Sequence, residues 1–207
     1  MKTVVCYGDS NTWGYRPDSG RRYDHNQRWT RRLQALLGDG FWLVEEGQNG
    51  RTTLHDDPVE GQKNGLAYLV PCLESHKPVD LVLLMLGTND LKQRFAMSAD
   101  DIAGCVKRLV RVIQSCEFGP ADGAPEVLLL APPPLARLSG FAEMFSGGYE
   151  KSLRLGGAYR QVAAERGCHF MDTREVVSLS DLDGVHLDPD QLPLLAEALA
   201  GEVRRIV

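Results

Sequence analysis

Short apolar runs alternate with longer amphipathic stretches along this chain, and this alternation is its strongest structural signal. Such a pattern is typical of β/α/β units, in which helices connect parallel strands. Five runs are predicted to be strands: Thr3–Tyr7, Phe41–Glu45, Leu81–Leu86, Val127–Ala131 and the short His169–Met171. Because no repeat or linker interrupts the pattern, residues 1–207 are predicted to form one α/β domain around a parallel sheet of about five strands.

Two stretches carry clear helix signals. Ala99–Cys116 is preceded by Ser98, which resembles a capping box with Asp101 three residues later. The other helix is predicted to begin at Asp188 and Pro189, an N-cap followed by proline at the first helical position. Their apolar residues recur at helical spacing, at Ile102, Val106, Leu109, Val110 and Ile113 and at Leu192, Leu195, Leu199, Val203 and Ile206. The second helix is expected to cover one face of the sheet.

Two predicted loops are longer than usual for a compact domain. They are Arg16–Arg28, which is polar and rich in arginine, and Leu54–Gly65, which contains a His-Asp-Asp-Pro segment. Long loops in such domains tend to be functional or mobile, and the sequence does not assign a role to either one.

Composition and charge exclude several classes of protein. The 23 basic and 28 acidic residues give a net charge of −5, and the basic residues are scattered, which argues against a nucleic-acid partner. No apolar run is long enough for a signal-peptide core or a bilayer span, so no membrane partner and a cytoplasmic location are expected. The five cysteines show no C-x-x-C spacing and are predicted to be buried thiols, not disulfides or zinc ligands.

Three polar motifs follow predicted strands, where open parallel sheets bind ligands. Ser10 follows Gly8-Asp9 on a predicted strand-to-helix turn, which would expose its hydroxyl beside free backbone N–H groups. In Gly47–Thr53, two nearby glycines would let the backbone approach a ligand and present an N–H. In Gly87–Asp90, the amide of Asn89 is a neutral donor suited to charge that develops only in a transition state. Taken singly, each motif also fits an ordinary turn or cap.

The fourth motif, Asp183-Gly184-Val185-His186, lies just before the last predicted helix. Histidine is a natural general base for a serine hydroxyl, and a carboxylate can orient its ring and stabilise the imidazolium. The remaining histidines, His25, His55, His76 and His169, are predicted to be surface or packing residues. Four complementary motifs in this order predict a serine-based acyl hydrolase.

The four motifs together resemble the signature blocks of the SGNH (GDSL-type) hydrolases, a superfamily of esterases, lipases, thioesterases and carbohydrate deacetylases. The resemblance spans the chain and implies a flavodoxin-like, three-layer α/β/α sandwich. It implies Ser10 as nucleophile, His186 as general acid and base, and Asp183 as its orienting carboxylate. The implied oxyanion donors are the backbone N–H groups of Ser10 and Gly50 and the amide of Asn89. The resemblance implies a small ester substrate, no cofactor and no metal, and neighbouring positions predicted to contact substrate are Asp9, Asn11, Trp13 and Thr88.

A narrower likeness joins the chain to the bacterial arylesterase and acyltransferase branch. It rests on residues 8–14, on Arg51-Thr52-Thr53 with Asp56-Asp57-Pro58, on 85–90 and on Pro132-Pro133-Pro134-Leu135. Members hydrolyse short acyl esters, including aryl esters, some transfer acyl groups to alcohols or peroxide, and octamers occur, so a homo-oligomer is expected. The best-known acyltransferase of the branch has a small non-glycine residue where this chain has Gly50, which argues against strong transferase activity.

Other functions stay open at this point. A carbohydrate O-deacetylase could use the Arg16–Arg28 loop with Trp13, Trp29 and Tyr68 for sugar contacts, and a thioesterase is also compatible. A non-catalytic flavodoxin-like binding module would not need the four motifs. A metal-dependent hydrolase would use Asp181 with the Asp183 and His186 pair. The α/β-hydrolase elbow Gly-x-Ser-x-Gly is disfavoured because Thr12 replaces its second glycine.

Overall fold

The computed structural model describes residues 1–207 and contains all five predicted strands in one sheet. The strands are β1 Lys2–Gly8, β2 Phe41–Gly47, β3 Leu81–Met85, β4 Glu126–Ala131 and β5 His169–Asp172. Their spatial order is β2-β1-β3-β4-β5, and every neighbouring pair is parallel. The prediction of a five-stranded parallel sheet is confirmed, with strand ends shifted by one or two residues.

The chain winds in opposite directions from β1, first to β2 and then to β3 on the other side. This reversal opens a crevice at the carboxyl ends of the strands, where open α/β sheets bind ligands. In the register of the sheet, Gly8 at the end of β1 pairs with Gly47 of β2 and with Met85 of β3. The loops that follow these three strands therefore begin at the same level and converge on one place.

Helices cover both faces of the sheet, which gives the predicted three-layer arrangement. They are α1 Ser10–Trp13, α2 Trp29–Leu37, α3 Gly65–His76, α4 Ala99–Ile113, α5 Gly148–Arg166 and α6 Gln191–Ile206. Helix α2 packs on α6 and α4 packs on α5. One hydrophobic core of 49 buried residues links the strands to these helices, and the interior strands are apolar nearly throughout because both of their faces are covered.

The bounds of the two predicted helices differ from the structure. Helix α4 has the predicted capping box, in which Ser98 and Asp101 each accept the backbone N–H of the other at 3.1 Å, but it ends at Ile113. Helix α6 begins at Gln191, so the predicted start at Asp188 and Pro189 is wrong. The Gln191 N–H donates to the Asp188 carbonyl at 3.0 Å, and this separate turn contains the proline.

All five cysteines are unpaired thiols: Cys6 and Cys72 are buried, and the other three are half-buried. Helices of this chain are too short or too polar for any of them to cross a bilayer.

Candidate active site

Ser10 begins α1 directly after the first strand, and only 6% of it is exposed. The Asp9 carboxylate accepts the Asn11 backbone N–H at 3.0 Å, which caps α1 and fixes the turn. After one turn the helix ends at Gly14, whose φ of 93° is left-handed and therefore suits glycine. The sequence thus places Ser10 on a rigid, sharply bent segment at the edge of the sheet.

The fit of α1 against β2 depends on Gly47. A Cβ atom at this position would overlap the backbone of Thr12 and Trp13. Glycine therefore lets α1 lie against the end of the neighbouring strand, which brings the 47–53 segment close to Ser10.

A tight loop carries Asp183 and His186. Gly184 has a φ of 80°, and a Cβ there would collide with the backbone of Arg137. The Ser180 N–H donates to the His186 carbonyl and the Gly184 N–H donates to the Ser180 carbonyl, both at 2.8 Å. The loop is therefore fixed by its own backbone before any side chain contributes.

The three predicted triad residues form a continuous chain of hydrogen bonds. His186 Nδ1 lies 2.7 Å from Asp183 Oδ2, and His186 Nε2 lies 2.9 Å from Ser10 Oγ. Burial disfavours the Asp183 carboxylate, but hydrogen bonds from the His186 ring and from the N–H groups of Val185 and His186 outweigh it and lower the pKa of Asp183. A carboxylate that stays charged holds the ring proton on Nδ1, which leaves Nε2 to accept the Ser10 proton.

Asn11 links α1 to the histidine loop. Its Nδ2 donates to the Val185 carbonyl at 3.0 Å, and its Oδ1 accepts the Leu187 N–H at 3.1 Å. Both polar ends of this buried side chain are therefore used within the protein, on either side of His186. Asn11 holds the loop against the nucleophile.

Three hydrogen-bond donors lie beside Ser10 in the same cavity. The backbone N–H groups of Ser10 and Gly50 donate to no other group of the protein. The Asn89 Nδ2 donates one proton to the Arg51 carbonyl at 3.1 Å, and its second proton remains for a ligand. Ser10, Gly50 and Asn89 all line this cavity, so the structure brings together the residues predicted as oxyanion donors.

Buried polar contacts hold the loops that carry these donors. The Arg51 Nη1 donates to the Gly8 carbonyl at 2.9 Å, and its guanidinium lies 4.3 Å above the centre of the Tyr7 ring. The Asp90 carboxylate accepts the Thr53 N–H at 3.0 and 3.1 Å. Burial raises the pKa of Asp90, against the effect of the hydrogen bonds from Thr53. These bonds join the ends of the first three strands to each other.

The cavity has a volume of about 320 Å³, within the usual range for small-molecule sites. Its apolar wall is formed by Tyr15, Phe141, Met144, Phe145 and Val185. Its polar wall is formed by Asn49, Glu60 and Lys92. None of these wall residues was predicted as a site residue. The signals in the sequence were the positions of Asn49 and Val185 within motifs, of Tyr15 next to a motif and of Glu60 in the long 54–65 loop.

Four residues predicted to contact substrate, Asp9, Asn11, Trp13 and Thr88, do not line the cavity. Asp9 caps α1 and Asn11 binds the histidine loop, as described above. The Trp13 ring lies beneath the Arg22 guanidinium at 5.2 Å, and Thr88 is buried at the start of the turn that carries Asn89. None of the four side chains lines the cavity, so contact of these residues with a substrate stays a prediction.

The residues considered for sugar contacts also lie elsewhere. Trp29 is buried and its Nε1 donates to the Asn11 carbonyl at 3.0 Å, whereas Tyr68 packs near Arg51 outside the cavity. In the 16–28 loop, the Tyr23 hydroxyl donates to the Leu187 carbonyl at 3.0 Å. This loop thus supports the histidine loop.

Asp181, Asp183 and His186, the residues considered for a metal site, do not point their ligand atoms at one common position. Both oxygens of Asp183 are used in hydrogen bonds to His186 and Val185, and Asp181 is exposed. One other group could hold an ion, formed by Glu46, Cys72 and His76, and none of its members lines the cavity.

Together, a parallel α/β sheet and a Ser-His-Asp arrangement beside three free donors define the class of serine hydrolases. A sequence model of the GDSL-like lipase/acylhydrolase family matches residues 6–192. The chain belongs to this family.

Solved structures similar to this one include two esterases that match it along the whole of both chains. A carbohydrate acetylesterase from Sinorhizobium meliloti is 40% identical, with a TM-score of 0.96 and complete coverage of both chains. An aryl esterase from M. smegmatis is 38% identical, with a TM-score of 0.96 and complete coverage of both chains. An acetylxylan esterase from Xylanibacter ruminicola is 28% identical over 148 residues, which are 63% of this chain and only 28% of that protein.

Proposed function

We propose that this protein is a serine esterase that hydrolyses short acyl esters through an acyl-enzyme on Ser10. His186 acts as general base and general acid, and Asp183 orients it. One observation supports the proposal most. The Ser10–His186–Asp183 hydrogen bonds, at 2.9 and 2.7 Å, end in a cavity lined by three donors, each of which keeps one N–H free for a ligand.

In the first half of the reaction, His186 Nε2 takes the proton of the Ser10 hydroxyl as Oγ attacks the ester carbonyl carbon. The carbonyl oxygen becomes negative and is stabilised by the N–H groups of Ser10 and Gly50 and by Asn89 Nδ2. The tetrahedral intermediate then loses the alcohol, which receives the proton from His186. The acyl group remains bonded to Ser10 Oγ.

In the second half, water replaces the alcohol. His186 takes a proton from the water molecule as its oxygen attacks the acyl carbon, and the same three donors stabilise the new oxyanion. The bond to Ser10 Oγ breaks and Oγ recovers a proton from His186, which releases the carboxylic acid. Transfer of the acyl group to another alcohol would use the same intermediate and would place that alcohol where water attacks.

The size of the cavity favours small substrates. A volume of about 320 Å³ accommodates an acetyl-type group with a small alcohol. The apolar wall fits an aryl alcohol, whereas the polar wall fits a carbohydrate, so carbohydrate O-deacetylation is the second candidate activity. The similar carbohydrate acetylesterase and aryl esterase are compatible with both activities.

The test uses a fluorophosphonate and p-nitrophenyl acetate. Wild-type protein is expected to be labelled on Ser10, as peptide mass spectrometry would show, and Ser10→Ala should lose both labelling and at least about a thousandfold in kcat. The exposed Ser178 provides a matched control, because Ser178→Ala makes the same change on the surface. Full activity of Ser10→Ala, or labelling of another residue, would refute the proposal.

We also propose that residues 1–207 form one hydrolase domain and that the protein assembles into a homo-oligomer. The single sheet and the continuous core support the first statement. For the second, large apolar side chains such as Trp42 and Tyr149, which are 44% and 48% exposed, are available for contact. Light scattering after size-exclusion chromatography would measure the mass, and a monomer at micromolar concentration would contradict the assembly.

A further inference from the structure

Two hydrogen-bond acceptors on the polar wall of the cavity have no partner within the protein. The Oδ1 atom of Asn49 is buried and accepts no hydrogen bond. In Glu60, Oε1 accepts from both Lys92 and Arg94, whereas no group of the protein donates to Oε2. Buried polar atoms are normally paired, so the free Asn49 oxygen on the cavity wall points to a ligand that donates hydrogen bonds. The Glu60 side chain is 30% exposed, and its Oε2 offers the same ligand a second acceptor.

The free oxygen of Glu60 lies beside a proposed oxyanion donor. A Cβ atom added to Gly50 would overlap Glu60 Oε2, and the φ of 79° at Gly50 is left-handed. Glycine at this position therefore leaves room for the carboxylate beside the Cα atom of Gly50. Asn49 is the preceding residue, so both free acceptors flank the place where an ester would bind.

An ion cluster holds the Glu60 side chain in this position. Lys92 Nζ, with a side chain only 2% exposed, lies 2.5 Å from Glu60 Oε1 and 3.4 Å from Asp57 Oδ2. Arg94 binds the same two carboxylates. Burial alone would raise the pKa of Asp57, but hydrogen bonds from Val59, Glu60 and Arg94 lower it to about 2. The fixed geometry reduces the entropy lost when a substrate binds.

The charges of the cluster define the chemistry of its ligand. Two carboxylates, Asp57 and Glu60, are balanced by two cations, Lys92 and Arg94, so the cluster carries no net charge. A neutral donor fits this balance better than an ammonium group, and an anionic substrate would face an oxygen that only accepts. A hydroxyl group both donates and accepts, and can also pair with either end of the Asn49 amide.

We propose that Asn49 and Glu60 form a subsite for hydroxyl groups on the alcohol side of the ester, so that the enzyme selects acetylated polyols and sugars with free hydroxyls. This inference rests on the proposed esterase function. A short acyl group carries only carbon and hydrogen beyond its carbonyl, so the hydroxyl donors of such a substrate belong to its alcohol. Esters without hydroxyl groups leave the buried Asn49 oxygen unpaired in the complex and give Glu60 Oε2 no hydrogen bond, which lowers kcat/KM for them.

The experiment compares two acetates of similar size, glycerol 1-acetate and propyl acetate. For the wild type, kcat/KM is expected to be at least about fivefold higher for glycerol 1-acetate, since a net hydrogen bond contributes about 0.5–1.5 kcal/mol. Propyl acetate serves as the reference within each variant. General damage to the active site lowers both constants and leaves their ratio unchanged.

Two variants test the two acceptors separately. Asn49→Leu removes the amide while keeping a side chain of similar size, and it should lower the ratio about three- to tenfold. In Glu60→Gln, the carbonyl oxygen is expected to face Lys92 and Arg94, which turns the amide N–H into the cavity in place of Oε2. This exchange of acceptor for donor should lower the ratio by a similar factor. Glu74→Gln, which makes the same change at an exposed position of α3, is the matched control and should keep the wild-type ratio.

Several outcomes would overturn the subsite. One is a wild-type ratio near one, and another is an unchanged ratio in both variants. A preference for ethyl glycolate over ethyl propionate would place the hydroxyl on the acyl side instead. The Ser10→Ala variant separates these results from failure of the proposed function. If Ser10→Ala no longer turns over either acetate and the wild-type ratio is near one, only the subsite is refuted.

Discussion

The phenol ring of Tyr15 lies nearly parallel to the imidazole of His186, with ring centroids 4.0 Å apart and planes inclined by 24°. Phe141 meets the same imidazole edge-on at 6.0 Å. These two rings come from the segments after α1 and after β4, and neither belongs to a sequence motif. The orientation of the histidine therefore depends on aromatic packing as well as on Asp183.

The stacking predicts a difference between two substitutions of Tyr15. Tyr15→Ala removes the ring and should lower kcat/KM for p-nitrophenyl acetate about tenfold, because an aromatic pair contributes about 0.5–1.5 kcal/mol beyond its buried area. Tyr15→Phe keeps the ring and should retain most of the activity. Steady-state kinetics at pH 8 would measure both constants. Equal losses in the two variants would assign the effect to the hydroxyl and not to the stack.

Asn89 is expected to stabilise mainly the transition state, with little effect on substrate binding. Asn89→Ala should lower kcat about 100- to 1000-fold with little change in KM, because the donor acts on charge that develops during attack. The substitution also removes the bond to the Arg51 carbonyl, which should reduce the free energy of unfolding by about 1 kcal/mol. Kinetics and urea unfolding measure the two effects separately. An increase in KM with kcat intact would contradict a role as oxyanion donor.

Asn11 should affect stability and activity together. Asn11→Ala leaves the Val185 carbonyl and the Leu187 N–H unpaired and buried, which should reduce the free energy of unfolding by about 2–4 kcal/mol. Asn11→Asp keeps an acceptor for Leu187 and should fall between alanine and the wild type. Urea unfolding and the rate of fluorophosphonate labelling check both expectations. Loss of activity at unchanged stability would instead favour the substrate contact predicted from the sequence.

Because the Asp9 carboxyl is buried, the free energy of unfolding is expected to depend on pH. Burial raises its pKa from 3.8 to about 6, although the Asn11 N–H partly offsets this effect. Between about pH 4 and 6 the folded protein holds a proton that the unfolded chain has lost, so stability falls as the pH rises through this window and remains lower above it. Asp9→Asn keeps the cap and avoids the buried charge. Its advantage over the wild type should grow from near zero at pH 4 to about 3 kcal/mol above pH 6.

Urea unfolding at several pH values would measure this advantage. Asp39→Asn provides the control, because it makes the same change at an exposed position of the chain. A difference between Asp9→Asn and the wild type that is the same at pH 4 and pH 7 would show that the Asp9 carboxyl titrates normally.

The sequence predicts the strands and the motifs at their ends well, for a physical reason. Interior parallel strands must be apolar on both faces, so they appear as uninterrupted runs, and the sheet then places the residues after each run at a common edge. Two of the site residues, Ser10 and Asn89, follow strand ends closely, and His186 lies just before the last helix. Their convergence follows from topology, which the alternation of strands and helices reveals.

Features that depend on packing between distant loops were not predictable in this way. Helix α3 contains Pro71, which weakens its helical signal. Helix α5 contains Gly156, where a Cβ atom would overlap the carboxylate of Asp172. The contacts of Tyr15 with His186 and of Glu60 with Gly50 connect loops whose conformations no local spacing encodes.

Ser10 and His186 are separated by 176 positions in the chain, and this distance has a consequence during synthesis. The nucleophile is translated directly after the first strand, but its proton acceptor follows only after all five strands have been translated. A nascent chain should therefore remain chemically inert towards esters until the histidine loop docks onto α1. Recovery of turnover after dilution from denaturant should accordingly report the latest, longest-range step of folding rather than collapse of the sheet.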